Sequence, residues 1–250
     1  MKEITTINEV LSALDQIIQE SKEQSSPLGY FAALYKKVTQ KVKDGIDDGF
    51  FDDGPQMERL DVVFANRYIS AYKAYQKHEP VTLSWMQAFQ LSKKNCPIVL
   101  QHLLIGMNAH INLDLGIAAA KVMEGKDIQN LKDDFDKIND ILSSLVADVE
   151  QDLSEIWPTL KKILQCTVHI DDFLIDFSMQ LARDGAWSFA KILSLTPEEH
   201  QVTLIRSRDQ SVAKIGRLVS RPGLIVGIIF KIIRLGERGT VIDKIVDMEH

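Results

Sequence analysis

The chain has 250 residues, of which 45% are hydrophobic and 26% charged, a balance that can bury a large core and argues against disorder over most of its length. Its net charge of −6 gives no general attraction to phosphate backbones or anionic lipid, so nucleic acid is not an expected partner. Cys96 and Cys166 lack the short paired spacing of a zinc ribbon or redox motif, and they read as buried, reduced thiols.

In chain order, the opening MKEITTINEVLSALD carries acidic residues and no continuous apolar run, unlike a secretory signal. Ile4, Ile7, Val10, Leu11, Leu14, Ile17 and Ile18 recur at three- and four-residue spacing and predict a first helix, with Thr6 and Glu9 as a capping box. Phe31, Leu34, Tyr35, Val38 and Val42 predict a second helix ending near Gly45. The Asp- and Gly-rich stretch 44–54 is a turn, and Pro55 suits the first position of a third helix through Met57, Leu60, Phe64, Tyr68 and Tyr72. Another helix follows Pro80.

Pro97 opens a long helix through Leu104, Ile111 and Leu115 toward Gly125. Apolar positions from Ile128 to Ile156 repeat helically up to the break at Pro158, and 160–195 reads as one long or two shorter helices. Thr196-Pro197-Glu198-Glu199 supplies a cap, a proline and acids for the next helix, and Pro222 and Gly236 punctuate the last ones. The segment LIVGIIFKII is β-branched enough for a strand, but a lone strand has nothing to pair with, so a buried helix is expected. The longest apolar stretch, Leu224 to Phe230, falls far short of the roughly 20 residues that cross a bilayer. These features predict a cytoplasmic protein without a membrane span. No repeat of fixed period and no Pro/Gly/Ser-rich linker divides the chain, so residues 1–250 are expected to form a single all-α domain, a bundle of about nine helices.

Four segments, GYFAALYKKVTQKV, LDVVFANRYISAY, HLLIGMNAHINLDLG and RDGAWSFAKIL, resemble an uncharacterised all-helical bacterial family of unknown function. The likeness runs in matching order from about Ile4 to Ile245, which implies one domain and carries no activity. The residues from Asn108 to Asn112 with Asp114 look like that family's most distinctive motif, and Ala65-Asn66-Arg67-Tyr68 looks like its second.

The chemistry must come from side chains. On a helix His110 and Asp114 lie one turn apart on one side, with His102 about 80° from His110 two turns earlier. His169, Asp172 and Asp176 form a second set within about 60° of one another. If the two helices face each other, His102, His110, Asp114, His169 and Asp172 are candidate ligands of one or two divalent ions, with Zn, Mn, Fe and Mg all compatible. The plainer alternative is that such histidines are hydrogen-bonded core residues and that Asn108, His110 and Asn112 satisfy buried backbone groups. Glu58, Asp61, Asn66 and Arg67 form a third group, in which a buried Arg67 requires a carboxylate partner.

The turn at 44–53 fails as an EF-hand, because aligning Gly49 as position 6 places Ile46 and Pro55 where oxygen donors are needed. There is no GxSxG elbow, HExxH helix or Walker loop, and no GxGxxG after a strand, so the common hydrolase, protease and nucleotide-binding signatures are missing. Residues 206–244 carry nine Lys or Arg against three acids, interleaved with apolar residues, as a snorkelling rim around a buried helix would. The aromatics Trp85, Trp157, Trp187, Tyr68 and Tyr72 read as core.

Two functions fit. One is a metal-dependent hydrolase in which metal-bound water attacks an ester or phosphoester while Asp176 or Asp61 orients a ligand or acts as base. The other is a non-catalytic helical binding or scaffold protein, open to a small-molecule ligand, whose polar motif fixes helix packing.

Overall fold

A computed structural model describes residues 4–142 and 179–249. Among these residues there is no strand, and the number of helices is close to the nine expected. In order they are α1 (Ile7–Glu23), α2 (Leu28–Asp47), α3 (Gly54–Gln76), α4 (Leu83–Leu91), α5 (Val99–Ala109), a π-helical turn (His110–Leu115), α6 (Gly116–Val122) and a 3-10 turn (Ile128–Leu131). A helical stretch over 132–142, α7, follows, and then α8 (Met179–Ser194), α9 (Glu198–Ser220), α10 (Leu224–Gly236) and α11 (Val241–Glu249).

The helix starts follow local chemistry. Thr6 Oγ1 accepts from the Glu9 backbone N–H at 3.2 Å, while the Glu9 carboxylate reaches back to the Thr5 N–H at 2.8 Å. The expected capping box is therefore shared over two residues. Asp53 caps α3 through the Gln56 N–H at 2.9 Å, and Pro55 occupies the first turn, where its missing donor costs nothing.

α5, the π turn and α6 form one continuous helix, Val99–Val122, and the fold is built around it. Helices α2, α3, α4, α8 and α9 all pack on it, α1 lies outside on α2 and α3, and α11 closes over α2. The helix is long and apolar enough to cross a membrane by length and composition, with a mean hydropathy of 1.3, yet 78% of that stretch is buried inside the structure. His102, Asn108 and His110 interrupt its apolar run in the sequence, which is why Leu224 to Phe230 reads there as the longest such stretch. Close approach to this hub needs glycine. A Cβ at Gly106 would meet the Phe31 ring at 2.5 Å, and one at Gly116 would lie 2.8 Å from the Ala186 carbonyl on α8.

Two expectations change. Cys96 is exposed, because it lies in the loop before α5 rather than on a helix, and Cys166 lies outside the described residues. α10 is a helix as expected, but among its described side chains only Ile229, Phe230 and Ile233 are buried, while Leu224, Ile228, Ile232 and Leu235 are exposed.

Glycine substitutions separate these packing effects. Gly116→Ala is expected to destabilise by about 1–3 kcal/mol in urea denaturation, because backbone and Phe189 must move. Gly227→Ala on α10, where the nearest atom lies 3.8 Å from the new Cβ, should be neutral or stabilising by up to about 1 kcal/mol.

Candidate functional site

The π turn carries the site. It presents Asp114, 0% exposed, toward α3 and α4, where its carboxylate accepts from Arg67 Nε at 2.5 Å and from Trp85 Nε1 at 2.7 Å. His110 Nδ1 lies 3.6 Å from the same carboxylate, too far for a hydrogen bond. Burial pushes the Asp114 carboxyl up, but Arg67, His110 and Trp85 together outweigh it, and its pKa stays below the usual value. The carboxylate is thus ionised, charge-paired and sealed from water. Removing only one partner of such a pair leaves an uncompensated buried charge.

His110 is enclosed in aromatic rings. Its imidazole stacks on Phe64, with centroids 3.5 Å apart and planes 7° apart, and Tyr35, Phe31, Trp85 and Tyr68 surround it. Burial pushes its pKa down, so the ring is neutral near pH 7. Among the described residues neither ring nitrogen has a hydrogen-bond partner. The neighbouring asparagines are structural, as Asn108 Nδ2 donates to the Val212 carbonyl at 3.0 Å and Asn112 Nδ2 to Asn108 at 3.2 Å.

The other candidate residues lie elsewhere. His102 is buried against Tyr30, and burial together with Arg234 and Lys244 lowers its pKa to about 3; it does not join His110 and Asp114 in a ligand set. His169, Asp172 and Asp176 lie outside the described residues. Among the described residues no three His, Cys, Asp or Glu side chains are grouped to hold a metal ion. Glu58 and Asn66 hold the start of α1, accepting from the Ile7 N–H and donating to the Ile4 carbonyl.

Asp61 lines a small internal cavity of about 40 Å³ with Tyr35, Phe64 and Arg183. Its Oδ2, the Tyr35 hydroxyl and Arg183 Nε all lack partners among the described residues, although the Arg183 Nη2 donates to the Phe135 carbonyl and its guanidinium covers the Phe135 ring at 4.6 Å. Burial, with Glu58 adding to it, raises the Asp61 pKa to about 7. On the outer side of Asp114, Arg67 and Trp85 open into a cleft of about 860 Å³ between α3, the start of α4 and α9. Arg67 Nε is held by Asp114, and its terminal Nη groups have no partner among the described residues. Arg206 from α9 lines the same cleft, as do the half-exposed Leu83 and the 66% exposed Val202.

Residues 7–222 match a family of unknown function (DUF5995). The chain belongs to this family. Its matched residues contain Asp114, Arg67, Trp85 and the whole cleft, while α10 and α11 lie beyond them. No curated protein and no solved structure matches the chain. Sequence reasoning passes over Trp85 as a donor, Asp209 as the cap of α4 and Arg183 in the cavity. Their partners are distant in sequence, 125 residues away for Asp209 and Ser84, so no local spacing reveals them.

Two measurements probe the site. Arg67→Met should cost about 3–5 kcal/mol by leaving Asp114 buried and unpaired, whereas Arg67→Met with Asp114→Asn should cost clearly less than the two single effects added, as read in a double-mutant denaturation cycle. Asp61 binds its proton more tightly folded than unfolded, so its contribution to stability is lost as pH rises from about 4 to 7. Asp61→Asn should match the parent near pH 4 and exceed it by roughly 1–3 kcal/mol at pH 8.

Proposed function

We propose that this protein is a binding protein for a small amphipathic acid, with the carboxylate or phosphate head on Arg67 and the apolar body along the cleft. One observation carries the reading. Arg67 is oriented by a bond from its Nε to a buried carboxylate, and its Nη groups, without a partner among the described residues, lie at an open cleft of about 860 Å³. A guanidinium held this way loses little freedom when it meets an oxyanion, which favours affinity. Arg206 supplies a second cation, and Leu83, Val81, Ile205 and Val202 offer apolar contact.

Binding is favoured over metal-dependent ester or phosphoester hydrolysis for a chemical reason. Asp114 already accepts from Arg67 and Trp85, so an added cation would compete with a bonded guanidinium, and His110 is enclosed by rings instead of facing the cleft's polar groups. Asp61, the alternative base, lies in the other cavity.

Titration calorimetry with medium-chain fatty acids and aryl phosphates tests this. At least one should bind with a Kd of about 1 mM or tighter, and Arg206→Glu should weaken it about tenfold. Ser70→Trp, an exposed position that blocks the cleft without touching the core, should abolish binding while leaving the melting temperature within about 2 °C. Absence of binding across both series, or binding that survives Ser70→Trp, overturns the reading.

A further inference from the structure

The stretch from the end of α9 through α10 leaves an unusual surface. Between residues 214 and 242 the exposed charged side chains are Lys214, Arg217, Arg221, Lys231, Arg234 and Arg238, all basic. The one acid, Glu237, has a side chain only 4% exposed, bonded to Arg234, Lys244 and the Val99 N–H. Along the same stretch Ile215, Leu218, Leu224, Ile228, Ile232, Leu235 and Ile242 are exposed, with Leu224 at 84% and Leu235 at 88%. Leu224, Ile228, Lys231 and Leu235 are spaced by three or four residues and share one side of α10, opposite the buried Phe230 and Ile233. A solvated helix face would carry polar residues at these positions.

We propose that this surface docks on an anionic phospholipid membrane, with the α10 stripe entering the headgroup boundary and Lys231 and Arg234 on the helix, with Arg221 and Arg238 at its two ends, meeting lipid phosphates. An in-plane amphipathic helix combines an apolar side with cations at its rim, and both are present here. Each basic side chain near an anionic surface adds to the attraction, and the apolar side chains supply the buried area. Charge selects this occupant over a second copy of the chain. Two such surfaces facing each other would oppose guanidinium to guanidinium, with no exposed acid between 221 and 238 and the next one in sequence, Asp243, already accepting from the Thr240 N–H and hydroxyl.

The full chain is sedimented with vesicles of phosphatidylcholine alone and with about 30% phosphatidylglycerol. Binding should require the anionic lipid and fall by about tenfold or more between 0.1 M and about 0.5 M salt. Leu224→Asp with Leu235→Asp, and separately Lys231→Glu with Arg238→Glu, should each lower binding by about tenfold or more, with unchanged thermal melting certifying the fold. Equal binding to both vesicle types, no binding, or variants that bind like the parent would overturn the proposal. So would a parent dimer in analytical ultracentrifugation that the Leu224→Asp/Leu235→Asp change dissociates.

Discussion

The Asp114 carboxylate is the constraint on which the centre of the molecule depends. It is fully buried on the helix around which the fold is built, where desolvation alone would cost several kcal/mol. Three elements are therefore tied to one point: the π turn that carries it, α3 through Arg67, and α4 through Trp85. The π turn, with its wider backbone winding, contains both His110 and Asp114. That placement lets the carboxylate meet Arg67 and Trp85 while the imidazole enters the aromatic cluster. The same contact that locks these helices orients a guanidinium at the mouth of the cleft, so packing and the candidate binding surface share one interaction.

Other carboxylates at helix starts obey a related rule. Asp209 on α9 accepts from the Leu83 and Ser84 N–H groups at the start of α4, and Glu237 accepts from the Val99 N–H at the start of α5. Asp134 accepts from the Asp52 and Asp53 N–H groups in the turn before α3, and Glu58 from the Ile7 N–H of α1. Helix starts carry unpaired donors and partial positive charge, so a carboxylate brought in from elsewhere satisfies both. Every one of these acids bridges two elements, and tertiary structure is written into them more than into any surface ion pair. Asp61 is the exception, since its Oδ2 has no such donor among the described residues.

The all-helical class and most helix positions were legible because apolar periodicity, proline and capping residues act within a few positions of one another. The pairing of His110 with the region of Asp114 was legible for the same reason, as was the need of Arg67 for a carboxylate. Spacing could not reveal that Asp114 is occupied by Arg67 and Trp85, which lie 47 and 29 residues away. An i, i+4 pair looks the same whether its groups face a metal, a solvent cleft or a ring of phenylalanines and tyrosines. His102 illustrates the limit, since two turns of helix carry it out of the cluster of His110 and into the field of Arg234 and Lys244. α10 shows the converse error, because strong hydrophobicity suggests burial, whereas this helix buries one side and exposes the other.

Net charge is also the wrong scale for judging what this surface attracts. At physiological ionic strength a charge is felt over roughly 8 Å, so a contacting surface responds to the nearest few side chains and not to the sum of −6. Acidic groups are drawn inward to helix starts, as Asp209, Glu237 and Asp134 show, and burial with bonded donors removes them from the exterior field. The basic side chains between 214 and 238 stay outside, where water solvates them, and Arg234 pairs from there with the shielded Glu237. The folding rule that places carboxylates against backbone N–H groups therefore segregates charge. A chain acidic in composition thus carries an exposed run of basic and apolar side chains between 214 and 238, with its exposed acids placed to either side.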